Sequence, residues 1–134
     1  MIIEINTQNP SPIYEQLRAQ IISGIASKKL APGENLPSVR SLAADLGINF
    51  HTVNKAYSIL FGEGYIVMDR RKGAVVAQPV AGGEAFLSRL SRQLLLIAAE
   101  AGCHDISENE FTMICVECYR NARGKLNSEE NGGI

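Results

Sequence analysis

Residues 49–58 combine hydrogen-bonding, cationic and aromatic side chains in a pattern suited to reading the edges of DNA bases. Asn54 can pair bidentately with adenine, Lys55 can reach guanine or a phosphate, and Thr52 can form a hydrogen bond or pack on a thymine methyl. These side chains share one surface once the apolar positions of the segment are removed. The candidate DNA contacts in this segment are Asn49, Phe50, His51, Thr52, Asn54 and Lys55.

Two short amphipathic helices separated by a turn are predicted to position that surface. Ser38, after Pro37, is the predicted cap of the first of them. Gly47 is predicted to end it in a left-handed conformation, and Asn49 to cap the next helix, which Gly64 ends. The apolar residues of the first of these helices recur at helical spacing: Val39, Leu42, Ala43 and Leu46. This is the sequence form of a helix-turn-helix, whose second helix presents its first residues to the major groove.

An earlier helix is predicted upstream, with Ser11 as its cap and Pro12 at its first position. It is expected to fray near Lys28 and Lys29. Residues 2–5 are predicted to form a short strand. The apolar stripe of this helix consists of Tyr14, Leu17, Ile21 and Ile25.

A β-hairpin is predicted after these helices, with strands over residues 65–68 and 74–77 around a polar tip. At that tip Arg71, Lys72 and Gly73 are expected to contact the minor groove or phosphates. Arg40, in the first turn of its helix beside Ser38, is expected to touch the DNA backbone or bases. Three helices followed by a hairpin describe a winged helix-turn-helix.

The last part of the chain is predicted to form two more amphipathic helices. One covers residues 84–102, and the capping pair Ser107 and Glu110 opens the other. Two helices of this length are too small to form a core of their own, so their apolar faces need a cover. The residues predicted to mediate dimerisation are Phe86, Leu90, Leu94, Ile97, Phe111 and Ile114.

These elements define a fold class and a domain organisation. We predict a mainly α fold with a small β-hairpin, in which a winged helix-turn-helix domain is followed by a two-helix dimerisation appendage. The domain covers residues 1–79 and the appendage residues 80–124. Residues 125–134 are expected to form a disordered tail.

Composition and charge limit the classes of function. The chain is 46% hydrophobic and 20% charged, which is ordinary for a globular protein, and it has neither a membrane-spanning run nor a signal peptide. We therefore predict a cytoplasmic protein without a membrane partner and with reduced thiols. Residues 1–80 hold eight basic and six acidic side chains (+2), and residues 81–134 hold five and eight (−3), which sum to the net −1. Attraction to DNA can be local despite that total.

No catalytic or cofactor site emerges from the sequence. It contains no Gly-rich phosphate loop after a strand and no Ser-His-Asp or Cys-His set, so we predict neither enzyme activity nor a cofactor. Cys115 and Cys118, with Cys103 and His104 upstream, have a spacing compatible with a metal or redox site. Their position on an apolar stripe favours buried thiols instead, and we predict no metal.

Several segments resemble, in order and spacing, the DNA-binding domain of GntR-family transcriptional regulators. The matching segments are residues 12–17 (PIYEQL), 30–40 (LAPGENLPSVR), 42–43 (LA), 46–47 (LG), 52–53 (TV), 55–57 (KAY) and 63–66 (EGYI). The resemblance spans residues 3–78 and implies DNA contacts by Arg40, by Thr52 and by the wing tip at Lys72-Gly73. Many members carry arginine where this chain has Phe50 and Asn54, and this departure favours an operator with fewer guanine contacts.

The C-terminal part resembles one branch of that family. The 54 residues after Val80 are too few for the effector-binding or aminotransferase-like domains that most members append, and a two-helix appendage is similar to the YtrA-like branch. That resemblance implies dimerisation through the helices and regulated genes that often encode ABC transporters. A two-fold dimer would bind an inverted-repeat operator in double-stranded DNA, with one recognition helix in each of two successive major grooves. Such a dimer favours repression, and any small-molecule effector would bind between the domains or at the dimer interface.

A protein-interaction adaptor is the alternative function. In it the winged helix would bind protein without sequence-specific DNA binding, and the helical appendage would assemble a complex.

Overall fold

The computed structural model describes residues 3–124 and contains five helices and one hairpin along them. The elements are α1 (Ile13–Ala26), α2 (Val39–Leu46), α3 (Phe50–Glu63), β1 (Ile66–Asp69), β2 (Gly73–Val76), α4 (Glu84–Cys103) and α5 (Glu108–Ala122). The chain divides into two compact units, and the boundary between them lies between Gln78 and Pro79. The predicted fold class, mainly α with a small hairpin, is confirmed. The tail predicted over residues 125–134 lies outside the described residues.

The first unit is built around a core with α3 at its centre. α3 packs against α1, α2 and β1, because its apolar residues recur every three or four positions and so share one face. The largest fully buried side chains of this core are Tyr57, Leu17, Ile21, Leu30, Leu60, Ile66, Val53 and Val76. Burial of one face of α3 leaves the opposite face at the surface.

The ends of α2 and α3 form as predicted. The Ser38 hydroxyl accepts a hydrogen bond from the Ser41 N–H, and Asn49 Oδ1 accepts one from the His51 N–H at 2.8 Å. Gly47 and Gly64 close the two helices with φ angles of 66° and 83°, a left-handed conformation that glycine adopts without steric cost. These caps fix where the turn ends and where α3 begins.

The predicted ends of α1 are wrong by one or two residues. Pro12, not Ser11, is the N-cap, because the Pro12 carbonyl already accepts hydrogen bonds from the first turn of α1 while the Ser11 carbonyl accepts one from the Gln16 amide. α1 ends at Ala26, before the predicted fraying point at Lys28 and Lys29. Lys28 is left-handed (φ 64°), and the chain turns there so that Leu30 is buried.

The strand predicted over residues 2–5 is also wrong for its described part, since residues 3–5 belong to no strand. Glutamine side chains of α1 take the place of a neighbouring strand. The Glu4 N–H donates to Gln20 Oε1 and the Asn6 N–H to Gln16 Oε1, both at 3.0 Å. Residues 3–6 are thereby held along α1.

The hairpin is antiparallel, with Ile66 opposite Val76 and Asp69 opposite Gly73. The free edge of β2 pairs with residues 33–36, the segment that leads into α2. In that pairing the Leu36 N–H donates to the Ala74 carbonyl, and the Val76 N–H donates to the Glu34 carbonyl, each at 2.9 Å. The hairpin, which forms the wing, is therefore tied by its backbone to the start of the helix-turn-helix.

The second unit exposes apolar side chains along both of its described helices. Within residues 84–122 of the described chain, no residue of α4 or α5 is buried. The prediction that the thiols are buried is wrong for a single chain, in which Cys118 is exposed and Cys115 is half-buried. As predicted, the Ser107 hydroxyl caps α5 by accepting from the Glu110 N–H at 3.1 Å.

Two further observations concern residues 3–124 alone. No group of three or more His, Cys, Asp or Glu side chains there lies close enough together to hold a metal ion. None of the helices in this part of the chain has the length and apolar character needed to span a bilayer.

Candidate nucleic-acid interface

The amino-terminal half of α3 presents the predicted contact residues on its outer face. Phe50, His51, Asn54 and Lys55 are exposed and Thr52 is half-buried, whereas Val53 between them is completely buried. The burial of the core face dictates this orientation, because residues at other helical angles must project outward. Hydrogen-bonding and cationic groups are thus displayed over the first two turns of α3.

Ser38 and Asn49 have structural roles at this surface. Each side-chain oxygen accepts a backbone hydrogen bond in the first turn of its helix. The Ser38 hydroxyl can still donate its own proton to a phosphate. Asn49 stabilises the amino end of α3, whose dipole favours an anion at that position.

Arg40 lies next to the amino end of α3, although it belongs to α2. Its guanidinium carbon is 5.7 Å from the centre of the Phe50 ring, within the range of a cation–π contact. The His51 ring makes a T-shaped contact with the same phenyl ring, with the centroids 5.7 Å apart and the planes at 83°. A groove of about 570 Å³ follows this corner, and its lining residues are Arg40, Ala43, Ala44, Gly47, Ile48 and Phe50.

Lys55 has an aromatic neighbour that sequence reasoning missed. Its ammonium nitrogen lies 4.0 Å from the centre of the Tyr14 ring on α1. The sequence pattern predicts Tyr14 only as an apolar stripe residue, yet the side chain is half-buried with its hydroxyl directed to Glu15. The one signal that could have indicated a surface role is the residue type itself. The hydroxyl of a tyrosine on a core-facing stripe needs a polar partner, so that end of the side chain is expected to lie near the surface.

The wing tip is ordered by an aspartate. Asp69 Oδ1 accepts hydrogen bonds from the N–H groups of Arg71 and Lys72 at 2.8 and 2.9 Å. The Lys72 and Arg71 backbone bonds hold the pKa of the Asp69 carboxyl below its ordinary value of 3.8. Gly73 completes the turn with φ 82°, and the cationic side chains of the tip are exposed.

A buried tyrosine connects α3 to the residues before α2. The Tyr57 hydroxyl donates to the Pro37 carbonyl at 2.7 Å, and burial raises the pKa of Tyr57 to about 12. This bond holds the backbone just before Ser38 against α3. The predicted contacts from both helices are therefore brought to one corner, and the hairpin carries Arg71 and Lys72 on the same unit.

The sequence pattern of the family described as "Bacterial regulatory proteins, gntR family" matches residues 11–76. The HTH-type transcriptional repressor YtrA of Bacillus subtilis is 34% identical over 106 residues, covering 75% of this chain and 82% of that protein. This chain belongs to the GntR family. Because three quarters of the chain is more than its first unit, the similarity to YtrA extends into α4 of the second unit. The predicted YtrA-like GntR regulator is confirmed.

Two solved structures resemble this GntR-family regulator. The structure of a transcriptional antiterminator from Listeria monocytogenes has a TM-score of 0.85 and 25% identity, and the match covers 92% of this chain and 94% of that one. The DNA-binding domain of AraR in complex with operator ORX1 has a TM-score of 0.50 and 28% identity. That match covers 57% of this chain and 99% of the AraR domain. The helix-turn-helix with its wing is thus the fold of a transcriptional regulator.

We expect the hydrogen bonds that order the wing tip of this GntR-family regulator to weaken only below pH 3.8. The folded pKa of Asp69 is lowered, so the ionised carboxylate stabilises the tip above the unfolded value of 3.8 and loses that effect as pH falls through the folded value. NMR titration should show the Arg71 and Lys72 amide protons shifting together below pH 3.8. Asp69→Ala should abolish this shift. A midpoint above 3.8 would contradict the assignment.

Proposed function

We propose that this GntR-family regulator is a cytoplasmic repressor that binds an inverted-repeat operator in double-stranded DNA as a homodimer. The observation that carries the proposal is the contact between Arg40 and Phe50, 5.7 Å apart, which joins the cationic start of α2 to the amino end of α3. A recognition helix reads bases with its first residues, and this corner is where a helix-turn-helix meets the major groove. The DNA-binding domain of AraR, which shares this fold, is in complex with an operator, and this supports operator binding by the same fold here.

Each part of the surface has an assigned partner in this proposal. Thr52 and Asn54 face base edges, with Asn54 suited to adenine. Arg40 and Lys55 supply positive charge beside them, to bases or phosphates. Arg71 and Lys72 of the wing contact phosphates or the adjacent minor groove, where Gly73 lets the backbone approach closely.

Exposed apolar side chains support dimerisation by the second unit. The predicted dimerisation residues on α4 have exposed fractions of 42% for Phe86, 38% for Leu90, 43% for Leu94 and 49% for Ile97. Leaving such a stripe in water is unfavourable, and contiguous apolar patches mark association surfaces. Phe111 and Ile114 offer a similar stripe on α5. A two-fold dimer places two recognition helices about 34 Å apart, one turn of DNA.

Repression is the regulatory outcome that best fits a compact dimer of this kind. The related YtrA of Bacillus subtilis is a transcriptional repressor, and a dimer that covers an operator blocks polymerase. The same resemblance leads us to propose an ABC-transporter operon as the target. We infer that the protein is not an enzyme, since its relatives are transcriptional regulators. Any effector would bind at the dimer interface.

Removing Arg40 tests the interface directly. An operator is first selected by the protein from random DNA and its Kd measured by gel shift. Arg40→Ala is expected to raise that Kd roughly 5- to 150-fold, or about 1–3 kcal/mol, because it removes a charged contact beside the recognition helix. Lys29→Ala is the matched control, since it removes one exposed cation outside the proposed surface. Equal affinity of the two variants would contradict the assignment of Arg40.

Salt dependence separates the repressor from the adaptor. An operator-selective shift that weakens steeply as salt rises supports the repressor, because phosphate contacts release counterions. Absence of any shift at low salt would support an adaptor that binds protein.

A further inference from the structure

Phe50 is an exposed aromatic ring with two neighbours at the first position of the recognition helix. Its exposed fraction is 41%, although nothing in the folding of α3 requires a phenyl ring at this position. The Arg40 guanidinium lies over the ring and the His51 ring stands at 83° to it, each 5.7 Å from its centre. Both contacts limit the conformations of the ring, so less of its freedom is lost when a partner binds.

The groove beside the ring has few side-chain hydrogen-bonding groups. Apart from Arg40 and Phe50, it is lined by small and aliphatic residues of α2 and the turn, namely Ala43, Ala44, Gly47 and Ile48. Those side chains offer no hydrogen bond to a base edge. The ring therefore favours contact with an apolar group, and Arg40 at the margin of the groove favours a nearby acceptor or phosphate.

The major groove of DNA displays one apolar group, the C5-methyl of thymine. We propose that Phe50 is a specificity-determining residue that contacts a thymine methyl in each half-site. Arg40, stacked on the ring, reaches the neighbouring base or phosphate, so that Phe50 also positions Arg40. This inference rests on the proposed DNA-binding function and adds the identity of one base in the operator.

Deoxyuridine substitution tests the proposal, because it removes the methyl and leaves every hydrogen-bonding group of thymine in place. Each thymine position of the selected operator is replaced in turn, in both half-sites at once, and Kd is measured for the full-length protein. At the position that Phe50 contacts, the wild-type protein is expected to lose about fourfold in affinity for each methyl removed. With Phe50→Ala that penalty is expected to vanish, since the methyl then has no partner.

Lys55→Ala is the matched control for Phe50→Ala. Lys55 is also exposed on α3, but it lies about 140° around the helix from Phe50. Its removal is expected to weaken binding at every substituted operator by the same factor, leaving the deoxyuridine penalty intact. Phe50→Leu separates the two roles of the ring, since leucine keeps an apolar contact but cannot stack on Arg40. It should retain most of the methyl penalty while binding more weakly overall. Circular dichroism confirms that each variant is folded.

The outcomes distinguish this inference from the function on which it rests. If no operator can be selected, the proposed DNA-binding function fails. If an operator is selected but no thymine shows a penalty that depends on Phe50, the repressor stands and the methyl contact is overturned. A penalty that is equal in wild type and Phe50→Ala assigns the methyl contact to another residue and also overturns it.

Discussion

Replacing Leu90 and Leu94 together with glutamate is expected to convert the protein to a monomer and to weaken operator binding about 100- to 10,000-fold. Both leucines lie one turn apart on the stripe of α4 that also contains Phe86 and Ile97, and both are well exposed in one chain. A dimer would bury them, and two carboxylates in that interface would have to be desolvated without a partner. Once the protomers separate, each half-site is bound alone and the second contact is no longer intramolecular.

Ser88→Glu is the matched control for this variant. Ser88 is exposed on α4 and lies roughly 200° around the helix from Leu90. A glutamate at this position therefore places one negative charge on α4 away from the stripe. It should leave the mass measured by light scattering and the Kd measured by gel shift unchanged. Truncation after Val80 should reproduce the loss caused by the double glutamate variant. A double variant that stays dimeric would overturn the proposed role of the stripe.

The helix-turn-helix was predictable because its local signals agree with one another. Ser38, Gly47, Asn49 and Gly64 each favour one conformation at the place where the apolar period begins or ends. The wing was predictable for a similar reason, since its apolar runs flank a polar tip. The structure moves the predicted strands by only one residue.

The errors come from long-range side-chain contacts that local patterns do not contain. Residues 3–5 have the composition of a strand, but the backbone N–H groups of Glu4 and Asn6 donate to the side chains of Gln20 and Gln16 instead. α1 ends early because Leu30 must reach the core, where its side chain packs on Gly24. In both cases a tertiary contact overrides a local preference.

Within the candidate interface, types of residue were predictable and their pairing was not. The exposed face of α3 follows from the helical period alone. The contacts of Arg40 with Phe50 and of Lys55 with Tyr14 join different helices, so their spacing in the sequence carries no signal. The thiols of α5, of which Cys115 is half-buried and Cys118 exposed, show the converse. An apolar stripe predicts that a face will be covered, but not by which chain.

The orientation of this interface depends on the core side of α3, and Leu60→Ala is expected to lower the free energy of unfolding by about 2–5 kcal/mol. Leu60 is completely buried, so its truncation removes apolar contacts and leaves a cavity. Chemical denaturation followed by circular dichroism at one fixed protein concentration measures the loss, since association would shift the midpoint. Typical domains have only about 5–15 kcal/mol of stability, so DNA binding should also decline at elevated temperature.

Met68→Ala is the control for that loss, because Met68 has an exposed fraction of 67% on the same unit. Its truncation should change the free energy of unfolding by less than about 0.5 kcal/mol. Leu60→Met, which nearly conserves volume, should cost less than about 1.5 kcal/mol and retain operator binding. If Leu60→Ala were as stable as Met68→Ala, the core would not be what orients α3. The outward display of Thr52, Asn54 and Lys55 would then need another cause.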